Sequence, residues 1–503
     1  MGDRAQTRPP VLATIAFLFS GHDSVRFEHL QGFISHLERE GELRRIRVPV
    51  SPRLEMTEIA DRVVKQGGPA LLFENPAGYK IPVLMNAMGT RRRMQMVLGS
   101  EQISDITENY LSLLDQNEAP SFLDKLKMLP RLKEIADALP TVVHNAPCQE
   151  VVDDPPSFDP FPILTCWPGD GGPYITLPLV FTRDPETGRP NCGMYRMQIY
   201  DSATSGMHWQ IHKGGAQHHR KAAARGERIA VSVAVGADPV VVFAAASPLP
   251  PDTDEMLLAG LIRGRGVRLV KSRTNDILVP AEAEIVFEGY VEPNELRREG
   301  PFGDHTGFYS LADDFPVFHL TCVTHRHDPV YHATVVGRPP MEDCFMGEAI
   351  ERLFLPVIRR LLPEIVDLHM PFAGVFHNLL LVSIRKRYPG HARKVMHGLW
   401  GLGQMMTTKV IVVVDEDVNV QDAEETAWKA LNHIDPQRDL EFVLGPVDTL
   451  DHASRLPNFG SKVGVDATRK WPDEGFTRSW PDEIRMSPEV KKKVDSLWVQ
   501  LNL

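Results

Sequence analysis

Between residues 141 and 335 the sequence consists mainly of short β-rich segments separated by Pro, Gly and Asp, with few helical patterns between them. Val, Ile and aromatic residues favour strands, whereas Gly and Pro tend to end them. The segments are YITLPLVFTRD, CGMYRMQIYD, RIAVSVAVGADPVVVFAAA, RLVKSRTNDILVP and AEIVFEGYVEP. Successive strands joined by turns pair antiparallel, so this region is predicted to be a largely antiparallel sheet or split barrel.

Helical and strand patterns alternate on both sides of this region. The helical patterns cover residues 26–46, 55–67 (closed by Gly67), 347–366, 391–406 and 425–434. The strand patterns are RVPVS, ALLFENPAG and IPVLMNAMG before it and KVIVVVDEDV after it. The predicted fold class is therefore α/β (α+β). The predicted domains are an N-terminal α/β domain at 26–140, the central split-barrel domain at 141–335 and a C-terminal α/β domain at 336–503.

Length and charge narrow the range of functions. At 503 residues the chain is too long for one hydrophobic core, which agrees with several domains. A net charge of −11 argues against nucleic acid or an anionic membrane surface as the main partner. The five cysteines are widely spaced and form no CxxC pair, so a disulfide framework and structural zinc are both disfavoured. A reducing, cytoplasmic location fits best.

The N-terminal segment faintly resembles a secretory signal. Residues 11–21, VLATIAFLFSG, follow Arg4 and Arg8. The apolar run is shorter than the roughly 20 residues that span a bilayer, and no A-x-A-like cleavage site follows it. Residues 1–25 are therefore predicted to be a disordered N-terminal extension.

The stretch RREGPFGDHTGFY, residues 297–309, holds two acids only five residues apart. The Gly-Pro-Phe-Gly spacer between Glu299 and Asp304 excludes an ordinary helix or strand ladder, so a loop is expected to aim both side chains. Two neighbouring carboxylates repel, which would raise the pKa of one of them and make it a proton donor near neutrality. An acidic surface turn is the alternative interpretation.

A second polar stretch, residues 191–220, could hold a metal and a phosphate. Asn191 lies five residues before Arg196, and HKGGA offers Lys213 beside flexible backbone N–H groups, as in a phosphate cradle. His208 and His212 have the spacing of a zinc pair, but Trp209-Gln210 replaces the glutamate of zinc proteases. Asn, His and carboxylate ligands would suit Mn²⁺ or Mg²⁺ instead. Each histidine could equally be a hydrogen-bonded residue of a sheet. Walker, Rossmann and GxSxG motifs are absent from the sequence.

From about residue 26 to 500 the chain resembles the UbiD family of decarboxylases, which use prenylated FMN. The resemblance is carried by long motifs in the same order. They are GGPALLFENPAGY, CWPGDGGPYITLPL, NCGMYR, HKGGA, SVAVGADP, AEIVFEGYV, EGPFGDHTGFY, GRPP and GSKVGVDATRKWP. The nearest branch acts on 4-hydroxy-3-polyprenylbenzoate in ubiquinone synthesis. The resemblance implies a flavin-binding central domain and a C-terminal domain that forms homo-oligomers, as dimers or hexamers.

The resemblance also assigns roles to residues. The family's catalytic network falls on Glu299, Arg196 and Asp304, with Asp304 as the proton donor. Its metal ligands fall on Asn191, His212 and Glu255, which would hold Mn²⁺ against the cofactor phosphate; K⁺ is a further cation that the resemblance allows. The segments that line the flavin fall on Met194, Tyr195, Arg196, His208, Trp209, Gln210, Lys213 and Gly214.

The function implied by the resemblance is reversible, non-oxidative decarboxylation of an aromatic acid. Alternatives are the same chemistry on a fused-ring, heteroaromatic or simple phenolic acid, such as phenazine carboxylate, or flavin binding without lyase activity. A flavin prenyltransferase would supply the cofactor, and a polyprenylated substrate would imply peripheral contact with membranes.

Overall fold

The computed structural model of the chain describes residues 27–100, 103–114, 133, 136–249 and 253–501. The predicted N-terminal extension at 1–25 lies outside the described residues. Among the helices that are described, none combines the length and the apolar character needed to cross a bilayer.

The N-terminal part is a small mixed sheet covered by helices. Its helices are α1 (Leu30–Arg39), α2 (Glu55–Lys65), α3 (Arg91–Leu98) and α4 (Ile103–Leu114), and its first strands are β1 (Leu43–Ile46), β2 (Ala70–Phe73) and β3 (Val83–Met85). As predicted, α2 is followed by Gly67 in a left-handed conformation, φ +63°. The fourth strand of this sheet, Tyr331–His332, arrives much later in the chain and pairs parallel with β3.

The central part contains a seven-stranded antiparallel sheet. Its strands are β5 (Val151–Val152), β7 (Leu179–Arg183), β8 (Pro190–Met194), β10 (Thr204–Gly206), β11 (Ile229–Val235), β14 (Ile285–Glu299) and β17 (Asp313–His325). The register of the long β14–β17 pair shifts at Glu288/Gly289 and again between Val291 and Leu296. Such bulges bend a strand and increase its twist, so the sheet curves into a half-barrel.

Smaller strands and three helices surround this sheet. The strands are β4 (Thr141–Val143), β6 (Tyr174–Ile175), β9 (Met197–Gln198), β12 (Arg268–Lys271), β13 (Leu278–Pro280), β15 (Phe302–Gly303) and β16 (Tyr309–Ser310), whereas β18 (Tyr331–His332) belongs to the N-terminal sheet. The helices are α5 (Gly214–Ala224), α6 (Pro239–Ala246) and α7 (Glu255–Arg263).

The C-terminal part is a five-stranded mixed sheet with helices. The strands are β19 (Ile365–His369), β20 (Leu379–Ile384), β21 (Val410–Asp415), β22 (Leu440–Pro446) and β23 (Phe459–Asp466), in the order β19-β20-β21-β23-β22. The helices are α8 (Glu342–Leu361), α9 (His391–Trp400), α10 (Ala423–His433), α11 (Pro436–Asp439) and α12 (Pro488–Leu501). The predicted fold class, α/β around a curved antiparallel sheet, is confirmed. The domain boundaries stay predictions.

Four sequence predictions differ from the structure. The segment PVVVFAAA is helix α6 and not a strand, because Asp238 caps it through Val240 N at 2.8 Å and Pro239 occupies its first turn. In the N-terminal part the strand is Leu43–Ile46 and not RVPVS, since the preceding helix ends before Gly41 at φ +72°. The helix predicted at 347–366 starts at Glu342 and ends at Leu361, and Ile365 already belongs to β19.

The fourth difference concerns the two acids. Glu299 is the last residue of β14, and the spacer after it is not a plain loop: Phe302–Gly303 pairs antiparallel with Tyr309–Ser310. Asp304 directly follows Phe302–Gly303, in the turn between these two strands, and its N–H donates to Phe308 O at 3.1 Å. The end of β14 therefore fixes the side chain of Glu299, and the short hairpin fixes that of Asp304.

Candidate active site

Arg196 is the centre of the site. It lies between β8 and β9, and its side chain is only 10% exposed. Its Nε donates to Glu299 Oε1 at 3.1 Å, and its Nη1 donates to Asp304 Oδ2 in a short hydrogen bond. Its Nη2 donates to Ser310 Oγ at 3.0 Å, and the guanidinium lies 4.5 Å from the centroid of the Phe302 ring. One buried cation thus joins both acids of the RREGPFGDHTGFY stretch.

Each acid also contacts a histidine on its other side. His208 Nδ1 lies 2.5 Å from Glu299 Oε2, and the Nε2 of the same ring has no hydrogen-bond partner among the described residues. His305 Nδ1 lies 3.0 Å from Asp304 Oδ1, which also accepts from the backbone N–H of His305 at 2.8 Å. The site is therefore an alternating row of histidine, carboxylate, guanidinium, carboxylate and histidine.

This row lowers the pKa of both acids. Burial alone would raise the pKa of Glu299, but the hydrogen bond with His208 and the charge of Arg196 bring it below its usual value. For Asp304, burial is likewise outweighed by Arg196 and by hydrogen bonds from His305, and the pKa falls well below its usual value. The prediction that mutual repulsion raises the pKa of one acid is therefore wrong, because Arg196 lies between the two carboxylates and bonds to both.

A cavity of about 590 Å³ borders this row. Arg196, His208 and Asp304 lie on its wall, and so do most of the residues predicted to line a flavin, namely Met194, Tyr195, Gln210, Lys213 and Gly214. Trp209 is not on the wall; it is buried beside Gly215, with its Nε1 unpartnered among the described residues. The volume is in the usual range for a cofactor site.

The rim of the cavity at α5 fits a phosphate. Lys213 immediately precedes the helix, so its ammonium and the N–H groups of the first turn belong to one corner of the cavity. Burial lowers the pKa of Lys213, whose Nζ donates to the neutral Gln404 Oε1 at 3.2 Å. An anion bound at the N-terminus of α5 would give Lys213 a partner of opposite charge.

Two of the three predicted metal ligands, Asn191 and Glu255, lie on the wall of the same cavity. Glu255, the first residue of α7, accepts a hydrogen bond from the backbone N–H of Cys192 at 2.9 Å, next to Asn191. Burial raises the pKa of Glu255 to about 7, and a cation beside its carboxylate would offset that desolvation. The amide oxygen of Asn191 is a second hard ligand of the type that divalent cations prefer.

His212, the third predicted ligand, lies on the same cavity but is exposed. No hydrogen bond joins it to Asn191 or Glu255 within the described ranges. Nor do those ranges contain a cluster of three His, Cys, Asp or Glu side chains arranged to hold a metal. Asn191, Glu255 and the cavity therefore fit the implied cation, whereas the place of His212 in its coordination stays a prediction.

Sequence reasoning missed the residues that the C-terminal part brings to the cavity. Phe376, Gln404 and Leu450 lie on its wall, and His377 contacts His305 with Nε2 atoms 3.2 Å apart. His305 stands inside the quoted acidic stretch and could have been recognised there. His377 lies 72 residues further on, in a segment without any motif, so nothing local pointed to it.

Comparison with known proteins gives consistent matches along the chain. The profile of the 3-octaprenyl-4-hydroxybenzoate carboxy-lyase N-terminal domain matches residues 34–109. The profile of its Rift-related domain matches residues 141–339, and that of its C-terminal domain matches residues 344–467. An uncharacterized protein of Archaeoglobus fulgidus is 53% identical over 477 residues, which cover 94% of this chain and 98% of that protein.

Two solved structures are similar over nearly the whole chain. The closed form of vanillic acid decarboxylase from Sedimentibacter hydroxybenzoicus has a TM-score of 0.82 at 27% identity, covering 94% of this chain and 99% of that one. An evolved dimeric form of the UbiD-class enzyme HmfF from Pelotomaculum thermopropionicum, in complex with prFMN, has a TM-score of 0.75 at 26% identity. That match covers 93% of this chain and 98% of the other.

Proposed function

The chain belongs to the UbiD family of carboxy-lyases, and from this premise we propose that it decarboxylates an aromatic acid with prenylated FMN as its cofactor. The observation that carries the proposal is the Arg196 guanidinium bonded to both Glu299 and Asp304 at the wall of a cofactor-sized cavity. Our best substrate is 4-hydroxy-3-polyprenylbenzoate, in the synthesis of a ubiquinone-type quinone.

The proposed cofactor supplies what the side chains lack. When bound, prenylated FMN accepts the electron pair that remains on carbon as CO₂ leaves. Asn191, Glu255 and His212 would hold Mn²⁺, and Lys213 with the first turn of α5 would bind the phosphate. These assignments are supported by the desolvated carboxyl of Glu255, by the place of Asn191 on the wall of the same cavity, and by the desolvated ammonium of Lys213.

The protein's own residues orient the substrate and supply the proton. Arg196 would orient the substrate carboxylate, because a guanidinium binds carboxylates through paired N–H donors. As the substrate takes over donors of Arg196, Asp304 loses its main stabilising charge and its pKa rises. Asp304 can then carry a proton to the carbon that CO₂ has left. Glu299, which keeps His208 as a second partner, would hold Arg196 in place.

A second cavity supports a substrate with an apolar tail. It measures about 230 Å³ and borders Asp304 away from the flavin-lining residues. Its wall carries the rings of Trp167, Phe308 and Tyr309 together with the charged side chains of Asp61, Lys65 and Arg338. An isoprenoid group would pack against the aromatic part of this wall. The alternative is the same reaction on a fused-ring, heteroaromatic or simple phenolic acid, for which the tail cavity would be unnecessary.

The test is CO₂ release by chain that has been co-expressed with a flavin prenyltransferase. The acids are 4-hydroxybenzoate with and without a 3-prenyl chain, vanillate, 3,4-dihydroxybenzoate and phenazine-1-carboxylate. We expect the highest kcat/KM for the prenylated acid. A preference for an acid without the chain would move the assignment to the alternative, and no CO₂ from any acid would refute the proposed reaction.

A further inference from the structure

His305 stands between a carboxylate of the central part and a histidine of the C-terminal part. Its Nδ1 faces Asp304 Oδ1 at 3.0 Å, and its Nε2 faces His377 Nε2 at 3.2 Å. A carboxylate can only accept, so Nδ1 carries a proton and donates it to Asp304. Two Nε2 atoms at hydrogen-bond distance require one further proton between the two rings. The His305–His377 pair therefore holds a proton directly beside Asp304, the proposed acid.

The backbone around His377 shows how firmly this contact is built. Val375 and Phe376, which precede it, have φ of +43° and +69°, a region that side chains such as valine rarely adopt. The ring of Phe376 packs 5.5 Å from the ring of His305 and fills the space above Gly347, where a Cβ would come within 2.6 Å of it. Strained residues of this kind persist where surrounding packing enforces them, commonly at functional sites.

The groups that face the two rings are mostly acidic. Asp304, Asp343 and Asp448 act on His305, whereas Asp448 and Asp451 act on His377, and Asp451 pairs with Lys409 Nζ at 2.9 Å. Burial lowers the pKa of His377, and although burial also opposes the charge on His305, the bond to Asp304 raises its pKa overall. The shared proton is thus placed on His305, the ring next to Asp304.

We propose that His305 is the group that re-protonates Asp304 in each turnover, and that His377 positions it by accepting a hydrogen bond from its Nε2–H. The inference rests on the proposed function, because it concerns the proton that decarboxylation consumes. Replacing CO₂ by hydrogen on carbon uses one proton per cycle, and Asp304 is only 5% exposed. His305, with a side chain 19% exposed, can exchange protons with water in the cavity.

The step balances in protons and charge. The His305 Nδ1–H bond breaks as an O–H bond forms on Asp304 Oδ1, which turns the imidazolium and carboxylate into a neutral ring and a neutral acid. The ring keeps its Nε2–H because His377 accepts it, so the emptied Nδ1 still faces Asp304. After Asp304 has given its proton to the substrate carbon, a proton from water in the cavity returns to Nδ1 and restores the imidazolium.

The first experiment needs no loaded enzyme. The imidazole signals of His305 and His377 are followed by NMR against pH in the cofactor-free protein, in wild type, His377→Leu and His377→Gln. We expect His305 to titrate above the ordinary value of 6.5 in wild type and at a lower pH in His377→Leu, which offers no acceptor. His377→Gln should restore the wild-type titration, because its amide oxygen accepts from Nε2–H. An unchanged His305 titration in His377→Leu would overturn the role of His377.

The second experiment uses the holoenzyme with its best acid. In wild type, kcat should fall as the pH rises through the pKa of His305. His305→Asn keeps a donor for Asp304 but cannot ionise. It should lower kcat by about 100-fold, the lower end of the usual scale for a proton-transfer residue, leave KM within about twofold and remove that alkaline decline.

His391→Gln is the matched control. His391 is also buried in the C-terminal part and lies 3.4 Å from a carboxylate, Glu364, but it is remote from the cavity. His391→Gln should leave both the NMR titration of His305 and the pH dependence of kcat unchanged. A wild-type profile in His305→Asn would overturn the proposal and indicate that water from the Trp167 cavity re-protonates Asp304 directly. If the loaded wild type releases no CO₂ from any acid, the proposed function fails, and the NMR titration alone then supports or rejects the proton pair.

Discussion

At the scale of single residues, the site depends on one cation that serves two acids. Arg196 is almost completely buried, so its charge is screened little by solvent and strongly favours the ionised forms of Glu299 and Asp304. If either acid loses its charge, the buried guanidinium keeps only one charged partner. The free-energy penalty is larger than that of losing an ion pair at the surface. Activity should therefore depend on the ionisation of each acid as well as on its shape.

Asp304→Asn and Glu299→Gln test this directly. Each amide has nearly the shape of the acid it replaces but cannot transfer a proton or balance Arg196. We expect either change to lower kcat by about 1,000-fold or more, toward the upper range for a general acid, with the flavin still bound. Decarboxylation rates and the absorption spectrum of the bound flavin measure the two effects.

Asp313→Asn is the control for these variants, since Asp313 is an exposed acid at the start of β17. It should retain wild-type turnover. Near wild-type turnover in both Asp304→Asn and Glu299→Gln would contradict the assigned roles.

The sequence identified the two acids, Glu299 and Asp304, but it predicted the wrong direction for the pKa shift of one of them. Glu299 and Asp304 could be paired from their spacing alone. Arg196 lies 108 residues from Asp304, and the resemblance to a known family was what joined them. The direction of the pKa shifts depends on the distance between charges in the fold, which spacing along the chain does not contain. For the same reason His377 could not be found.

At the scale of secondary-structure elements, helix α5 has to lie very close to strand β8. A Cβ on Gly214, the first residue of the helix, would lie 1.9 Å from Asn191 Oδ1 on the strand. Alanine normally favours helices over glycine by about 1 kcal/mol, so the fold itself gains nothing from glycine here. The close approach instead keeps the Asn191 amide at the cavity, beside the proposed metal and phosphate positions.

Gly214→Ala should therefore displace the Asn191 amide and reduce the content of manganese and flavin by about tenfold or more, the usual effect of disturbing a group that orients a metal ligand, without lowering the melting temperature. Metal analysis and flavin absorbance of the purified holoenzyme measure the effect. Gly445→Ala in β22 is the control, because its nearest neighbour would lie at an ordinary 3.7 Å. Full occupancy in Gly214→Ala would count against Asn191 as a ligand.

A buried carboxyl also links α1 to the end of the large sheet. Glu284 Oε2 accepts hydrogen bonds from Gln31 Nε2 at 2.9 Å and from Val330 N at 3.0 Å, and its side chain has no exposed area. Burial raises its pKa to about 7 from an ordinary 4.5. The folded state therefore holds this proton more tightly than the unfolded state, and stability from this group is lost as the pH rises from about 4.5 to about 7.

Glu284→Gln should remove this loss, because the amide oxygen can still accept both hydrogen bonds without ionising. We expect the variant to be more stable than wild type at pH 8, by about 1–3 kcal/mol from the size of the pKa difference, and nearly equal to it at pH 5. Melting temperatures at the two pH values measure the change. Glu227→Gln, at an exposed position, should show no such pH dependence, and a destabilised Glu284→Gln at pH 8 would exclude the explanation.

Element types were predicted well where periodicity was long, as in α2, α10 and β21. They failed at PVVVFAAA, where every side chain from Val240 to Ala245 is buried. A helix that is apolar on all sides has no amphipathic period, and its β-branched residues favour a strand. Only the Asp-Pro pair before it indicated a helix start. Tertiary burial, rather than local propensity, decided the outcome.

At the scale of the whole molecule, exposed apolar side chains are concentrated in the C-terminal part. On helix α12 the partly exposed residues Val490, Val494, Leu497, Trp498 and Leu501 follow a helical spacing and form one stripe. Strand β22, at the edge of its sheet, exposes Phe442 by 71% and Leu444 by 57%. Apolar patches and edge strands of this kind are normally covered by another chain. We therefore propose that a second copy of this chain covers them.

The combined change of Phe442 and Trp498 to Glu tests this interface. A charge introduced into a desolvated interface has no partner, so we expect wild-type protein to migrate as a homo-oligomer and the double variant to dissociate at least about tenfold more readily. Light scattering after gel filtration, over a range of protein concentrations, measures the mass of both. Leu296→Glu is the matched control, because Leu296 is 59% exposed in the central part and should leave the mass unchanged. A monomeric wild type would refute the proposed interface. If only Leu296→Glu dissociates, the interface lies at strand β14 and not at the C-terminal sheet.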